Sequence, residues 1–108
     1  MKKLKLSLVV FFSLLGLSVS GLLAADGATL YKRCIACHGP AGDKVPPGVK
    51  MKHTINVLSK ERIVSDLKGY KAKTLNQYGS GPIMSAQVAN LSDADIEAVA
   101  EYVSSLKK

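Results

Sequence analysis

The sequence predicts an all-α domain, residues 26–108, behind an N-terminal leader, residues 1–25. Three observations carry this expectation. Apolar residues recur at helical spacing in three places, two of them opened by a clear capping residue. No run of four or more residues alternates apolar and polar side chains, as a half-buried strand would. A length of 108 residues leaves room for one domain only.

The leader comes first in the chain. Lys2, Lys3 and Lys5 form a basic start, an apolar run follows from Leu6 to Leu23, and Ala24-Ala25 close it before Asp26. This is the n-region, h-region and small-residue end of a secretory signal peptide. A permanent anchor is the competing reading, because Leu6 to Ala25 approaches the ~20 residues that span a bilayer. Gly16, Ser18, Ser20 and Gly21 dilute the run, and no basic flank follows to stop transfer. Cleavage and export are therefore expected, leaving no membrane span. With no cysteine near the cleavage region, a lipoprotein is excluded. Losing those three lysines leaves 12 basic residues against 8 acidic ones. The excess forms no dense Lys/Arg stripe and has no aromatic pattern for stacking bases, so nucleic acid is not a partner.

The first helix starts at Asp26, an N-cap, and runs through Leu30 and Tyr31 to the cysteines, where Gly39 and Pro40 stop it. The second follows Ser59, carries Glu61 in its first turn and repeats apolar residues at Ile63, Val64, Leu67 and Tyr70. The third is the clearest. Ser92 and Asp95 form a capping pattern, and Asp93 and Asp95 suit the positive end of the helix dipole. Ile96, Val99, Val103 and Leu106 recur at helical spacing, and Lys107 and Lys108 suit the negative end.

Between these helices lie two long stretches read as loops, Gly39 to Leu58 and Thr74 to Asn90, the second carrying G-S-G-P at residues 79–82. Structureless loops beyond ~12–15 residues in a compact domain mean either a wrong assignment or a function. Three short helices also make a thin core for ~80 residues. Something other than side chains is expected to fill the middle.

The stretch C-I-A-C-H, residues 34–38, supplies it. A disulfide between residues so close closes a tiny loop and gains little entropy. A thioredoxin-like redox pair needs a βαβ setting, which is missing. Zinc needs further ligands, and His38 and His53 are all that the two cysteines could recruit. On a continuous helix Cys34, Cys37 and His38 share one face, at i, i+3 and i+4. Two thiols can then join the two vinyl groups of a haem while the imidazole reaches its iron. C-x-x-C-H is the c-type haem attachment motif.

With those residues in view, the chain resembles the class I c-type cytochromes, specifically the small, periplasmic, single-haem bacterial kind, over essentially its whole mature segment. Gly27 and Tyr31 match the small-then-aromatic pair ahead of the motif in that family, and Tyr102 the aromatic of its last helix. The resemblance implies three to four short helices and long loops wrapped around one covalent haem c, held by Cys34 and Cys37. It implies His38 and a methionine from the loop before the last helix as axial iron ligands. Met84, in G-P-I-M-S eight residues ahead of Ser92, fits that loop, and Pro82 would stiffen it. Met51 and His53, in V-K-M-K-H, are read as surface or haem-edge contacts. A backbone carbonyl from Pro46 or Pro47 is expected to hold the outer nitrogen of His38.

His/Met ligation fills both axial positions and raises the potential. No second catalytic constellation is present. The expected role is thus a monomeric one-electron carrier of the periplasm, not an enzyme. Its implied partners are a quinol-oxidising cytochrome bc complex as donor and a haem-copper cytochrome c oxidase as acceptor. Two other classes stay open: a gas sensor or enzyme with an open haem site, and a subunit anchored by an uncleaved leader. Lys44, Lys50, Lys52, Lys71 and Lys73 lie in or beside the two loops, whereas Asp66, Asp93, Asp95, Glu97 and Glu101 lie on helices. A basic face around the haem edge follows, suited to steering an acidic partner.

Overall fold

A computed structural model describes residues 26–106. The leader, and the lysines expected to close the last helix, lie outside the described residues. Helix α1 (Gly27–Tyr31) begins where the sequence places it: the Asp26 carboxylate accepts the Thr29 N–H at 3.1 Å. It does not run unbroken into the motif. The chain tightens to a 3-10 turn over Lys32–Cys34 before α2 (Ile35–His38), and Gly39, at φ 82°, ends it. Tyr31 is held from two sides across this break. Its ring lies 5.5 Å from that of Tyr102, and its hydroxyl donates to the Gly39 carbonyl at 2.7 Å.

Helix α3 (Lys60–Lys71) is capped by the Ser59 hydroxyl on the Arg62 N–H at 3.1 Å. It ends in paired bonds from Lys73 N–H to the Tyr70 carbonyl and from Thr74 N–H to the Gly69 carbonyl. This Schellman closure normally takes glycine at its left-handed position. Here Lys73 adopts φ 63°, at a cost of about 1 kcal/mol to a residue with a Cβ.

The second long stretch departs from the loop reading, because Gly81–Val88 forms a helix, α4. The residues that look like breakers are what start it. Gly79 turns the chain at φ 83°, and Pro82 sits in the first turn, where a missing N–H costs nothing. The Asn76 side chain accepts the Gly81 N–H at 2.7 Å, doing the work of a cap from five residues upstream. The first long stretch contains only one 3-10 turn, Ile55–Val57.

Helix α5 (Asp93–Ser104) carries the expected reciprocal capping box between Ser92 and Asp95. It packs across both α1 and α3, and α3 in turn packs on α4. One core cluster joins Tyr31, Ile63, Val99, Ala100 and Val103; a second joins Tyr70, Val88, Leu91 and Ile96. Among the described residues no strand occurs, so the all-α expectation holds, and no helix is long and apolar enough to cross a membrane.

Candidate functional site

The helices do not close over one another. They leave an apolar cavity of about 330 Å³, walled by side chains such as Leu30, Leu67, Tyr70, Val88, Val99 and Val103. The residues singled out from sequence meet in it. Cys34, Cys37 and His38 line it from the motif, Met84 from α4, and Met51, Pro46, Pro47 and Tyr78 from the loops. Both methionines therefore reach the cavity.

Several bonds hold these walls in place. The Arg33 guanidinium, next to the motif, donates to the Gln87 carbonyl at 3.3 Å and so ties the Cys34 segment to α4. The Ser85 hydroxyl, adjacent to Met84, donates to the Tyr70 carbonyl at 2.6 Å in a buried setting. The Lys71 ammonium donates to the Leu91 carbonyl beyond the end of α4. A Cβ at Gly81 would fall 2.6 Å from the Leu75 carbonyl oxygen, so only glycine lets α4 start this close to its own lead-in. Met84 is thus carried by a helix pinned at its start, along its length and beyond its end.

The electrostatics suit ligation better than thiol redox chemistry. Burial pushes the Cys34 thiol up, Arg33 works against that and Cys37 adds to it. A reactive redox thiol would need the opposite shift. The two cysteines are unbonded. Burial lowers the pKa of His38, which keeps its ring neutral, the form that binds a metal. Tyr31 is pushed up to about 12, by burial first and then by Cys34, Tyr102 and Asp43. Its phenol therefore remains a donor to Gly39 and fixes the turn directly behind His38.

One sequence expectation is not met. His38 Nδ1 is buried with no hydrogen-bond partner among the described residues, so no proline carbonyl holds it. The Pro46 carbonyl instead accepts the Val49 N–H at 3.5 Å within its own turn. A sealed, unpartnered ring nitrogen in this segment is a costly feature that structures retain at functional sites. No group of three or more His, Cys, Asp or Glu side chains suited to a metal ion occurs among the described residues. An apolar hollow lined by two unbonded thiols, a neutral imidazole and thioethers suits a flat apolar macrocycle with a central metal. The residues fit haem.

Sequence reasoning missed three contributors. Arg33 bonds across 54 positions, and the His53–Tyr78 pair across 25, neither marked by any local pattern. Only Asn76, a side chain that favours turns and caps, carried a usable signal.

A helical shell around an apolar hollow, with C-x-x-C-H on its wall, defines a c-type haem protein. The family model for cytochrome c matches residues 24–107. Cytochrome c-553 of Nitratidesulfovibrio vulgaris (strain Miyazaki F) is 37% identical over 94 residues, covering 85% of this chain and 87% of that protein. Cytochrome c-553 of Helicobacter pylori strain 26695 is 41% identical over 88 residues, 82% and 85% of the two chains. That of strain J99 is 40% identical over 86 residues, 80% and 83% of the two chains. The chain belongs to the cytochrome c family. It is a class I c-type cytochrome, an electron carrier with covalent haem c rather than an enzyme.

Proposed function

We propose that this chain is an exported, periplasmic one-electron carrier whose haem is bonded to Cys34 and Cys37, with His38 and Met84 as axial ligands. The observation that carries the reading is that Cys34, Cys37, His38 and Met84 line one apolar cavity. When bound, haem c supplies a reversible one-electron iron couple. The chain's part is to orient that group, exclude water and set its potential. Burial keeps His38 neutral, and the pinned α4 holds the weakly binding thioether in place. Leu67, Val88, Val99 and Val103 keep the surroundings dry. The test is acid-organic extraction of the exported protein followed by thiol titration after denaturation. Haem that stays with the protein, and no titratable thiol, is the expected result; extractable haem or two free thiols would refute covalent attachment at these residues.

The proposed partners are a quinol-oxidising cytochrome bc complex and a haem-copper oxidase, met through the basic side of the chain. Lys44, Lys50, Lys52, Lys71 and Lys73 are all exposed. Lys71 is committed to the Leu91 carbonyl, whereas Lys50 and Lys52 flank the cavity residue Met51. Redox encounters are small and brief, so charge acts on the rate of approach. Screening at 0.15 M salt reaches about 8 Å, which makes that rate salt-sensitive. The second-order rate with an oxidase is expected to fall as ionic strength rises, and Lys50→Glu with Lys52→Glu to slow it at low salt. A flat profile, or a charge-reversed protein as fast as the parent, would remove basic-face docking.

A further inference from the structure

His53 and Tyr78 come from separate loops, and His53 sits against Tyr78, which lines the cavity. Their rings are 5.9 Å apart and edge-on at 86°, and His53 Nε2 lies 3.2 Å from the Tyr78 hydroxyl. The other ring nitrogen, Nδ1, lies 3.2 Å from the Thr54 carbonyl. A carbonyl can only accept, so Nδ1 must carry the proton. In a neutral ring Nε2 is then the acceptor, and the Tyr78 hydroxyl is the donor. A second tie reinforces the first, because the Lys50 N–H donates to the Tyr78 carbonyl at 3.2 Å. The segment carrying Met51 is thereby strapped to the lead-in of α4 at two points.

Tyr78 has a further charged neighbour. Arg62 of α3 interacts with the Tyr78 phenol, while its guanidinium also bonds Asp66 at 3.0 Å and the Gln77 side chain at 3.2 Å. Arginine offers only donors, so the phenol proton has no acceptor there and stays committed to His53. The charged and titratable groups around the pair are Arg62 and Asp66 on α3 and Lys50 and Lys52 on the strap. Arg62 and Asp66 are already matched to each other. Tyr78 lines the cavity itself.

We propose that His53 is a positioning residue for Tyr78, and that its protonation couples electron transfer at the cavity to solvent pH. The proposal rests on haem occupying this cavity and does not depend on which methionine binds the iron. A proton arriving at Nε2 turns that atom from acceptor to donor, so the Tyr78 oxygen must accept from it and swing its own proton elsewhere. It also places a positive charge directly beside Tyr78, a lining residue of a cavity whose occupant carries one more positive charge when oxidised. Repulsion between the two favours the reduced state. The potential therefore rises as pH falls and His53 takes up its proton. By reciprocity, each electron accepted from a redox partner is accompanied by partial uptake of one solvent proton at His53 Nε2. The expected rise in proton affinity on reduction is roughly two- to fivefold.

The experiment uses the haem-loaded protein. Reduction potential is measured between pH 5 and 8 in the parent, His53→Gln and Tyr78→Phe, and His53 protonation is followed by NMR in both oxidation states. Glutamine can still accept from the Tyr78 hydroxyl but cannot titrate. It is expected to keep the fold and the visible spectrum and to give a flat pH profile. Tyr78→Phe is expected to weaken the coupling, and His53 in the parent to titrate at a higher pH when the haem is reduced. A flat parent profile, an unchanged slope in His53→Gln, or identical His53 titrations in the two oxidation states would each overturn the proposal.

Discussion

Met84→Ala is expected to abolish the long-wavelength sulfur-to-iron charge-transfer band, lower the reduction potential and open the iron to cyanide or carbon monoxide. Met51→Ala is expected to leave all three unchanged. Both side chains line the cavity and both are partly buried, so position alone does not separate them. Support does. Met84 lies on α4, whose start is capped by Asn76 and whose next residue, Ser85, is bonded to Tyr70. Met51 lies in a loop between Lys50 and Lys52, strapped only through its neighbours. A thioether is a weak ligand, and a pre-positioned one loses less entropy on binding. As ordinary packing, Met84 would also be missed, since it sits against Tyr70, Val88, Leu91 and Ile96. Removing a buried methionine costs about 2–5 kcal/mol, and a half-buried one less. A packing role alone predicts a lower melting temperature with the band retained. Loss of the band in Met51→Ala but not in Met84→Ala would reverse the assignment.

Gly27→Ala is expected to destabilise the haem-loaded protein by about 2–3 kcal/mol, read as a lower denaturation midpoint with unchanged slope. Helix propensity alone favours alanine by up to ~1 kcal/mol, so the sign of the effect is diagnostic. A Cβ on Gly27 would lie 2.3 Å from the Ala98 carbonyl oxygen and 3.0 Å from Tyr102 Cβ. Neither is the free end of a flexible side chain. Helices α1 and α5 would have to part, pulling Tyr102 away from Tyr31. Gly48→Ala makes the fitting control. It has φ 81° and nothing within 4 Å of a built Cβ, so only the backbone term of about 1 kcal/mol applies. A Gly27 variant no worse than the Gly48 variant would mean that the crossing yields easily.

Where the chemistry is local, these features could be read from the chain. C-I-A-C-H needs its spacing to make two bonds to one group, and the box at Ser92 and Asp95 closes within four residues. The pairing of Gly27 with Tyr102 was legible only through resemblance to a family. Helix α4 was hidden because Gly79, Gly81 and Pro82 signal a break until the Asn76 side chain is seen to cap the new start. The outer nitrogen of His38 was assigned a carbonyl that Pro46 uses elsewhere. The Arg33–Gln87 bond and the His53–Tyr78 pair depend on where loops come to rest, which no window along the chain contains.

The 3-10 turn at Lys32–Cys34 has a consequence in the compass bearing of the residues behind it. An α-helix advances about 100° per residue and a 3-10 helix about 120°, so three such residues add roughly 60° of rotation. On an unbroken helix Cys34, Cys37 and His38 would point about 60°, 120° and 20° to one side of Tyr31. With the tighter turn, Cys34 falls almost directly beneath Tyr31, while Cys37 and His38 straddle that direction by about 60° and 40° on opposite sides. Tyr31 is 1% exposed and marks the way inward. The tighter turn swings the whole attachment segment onto that heading, and ironing it into regular helix would aim the thiols about one-sixth of a circle away.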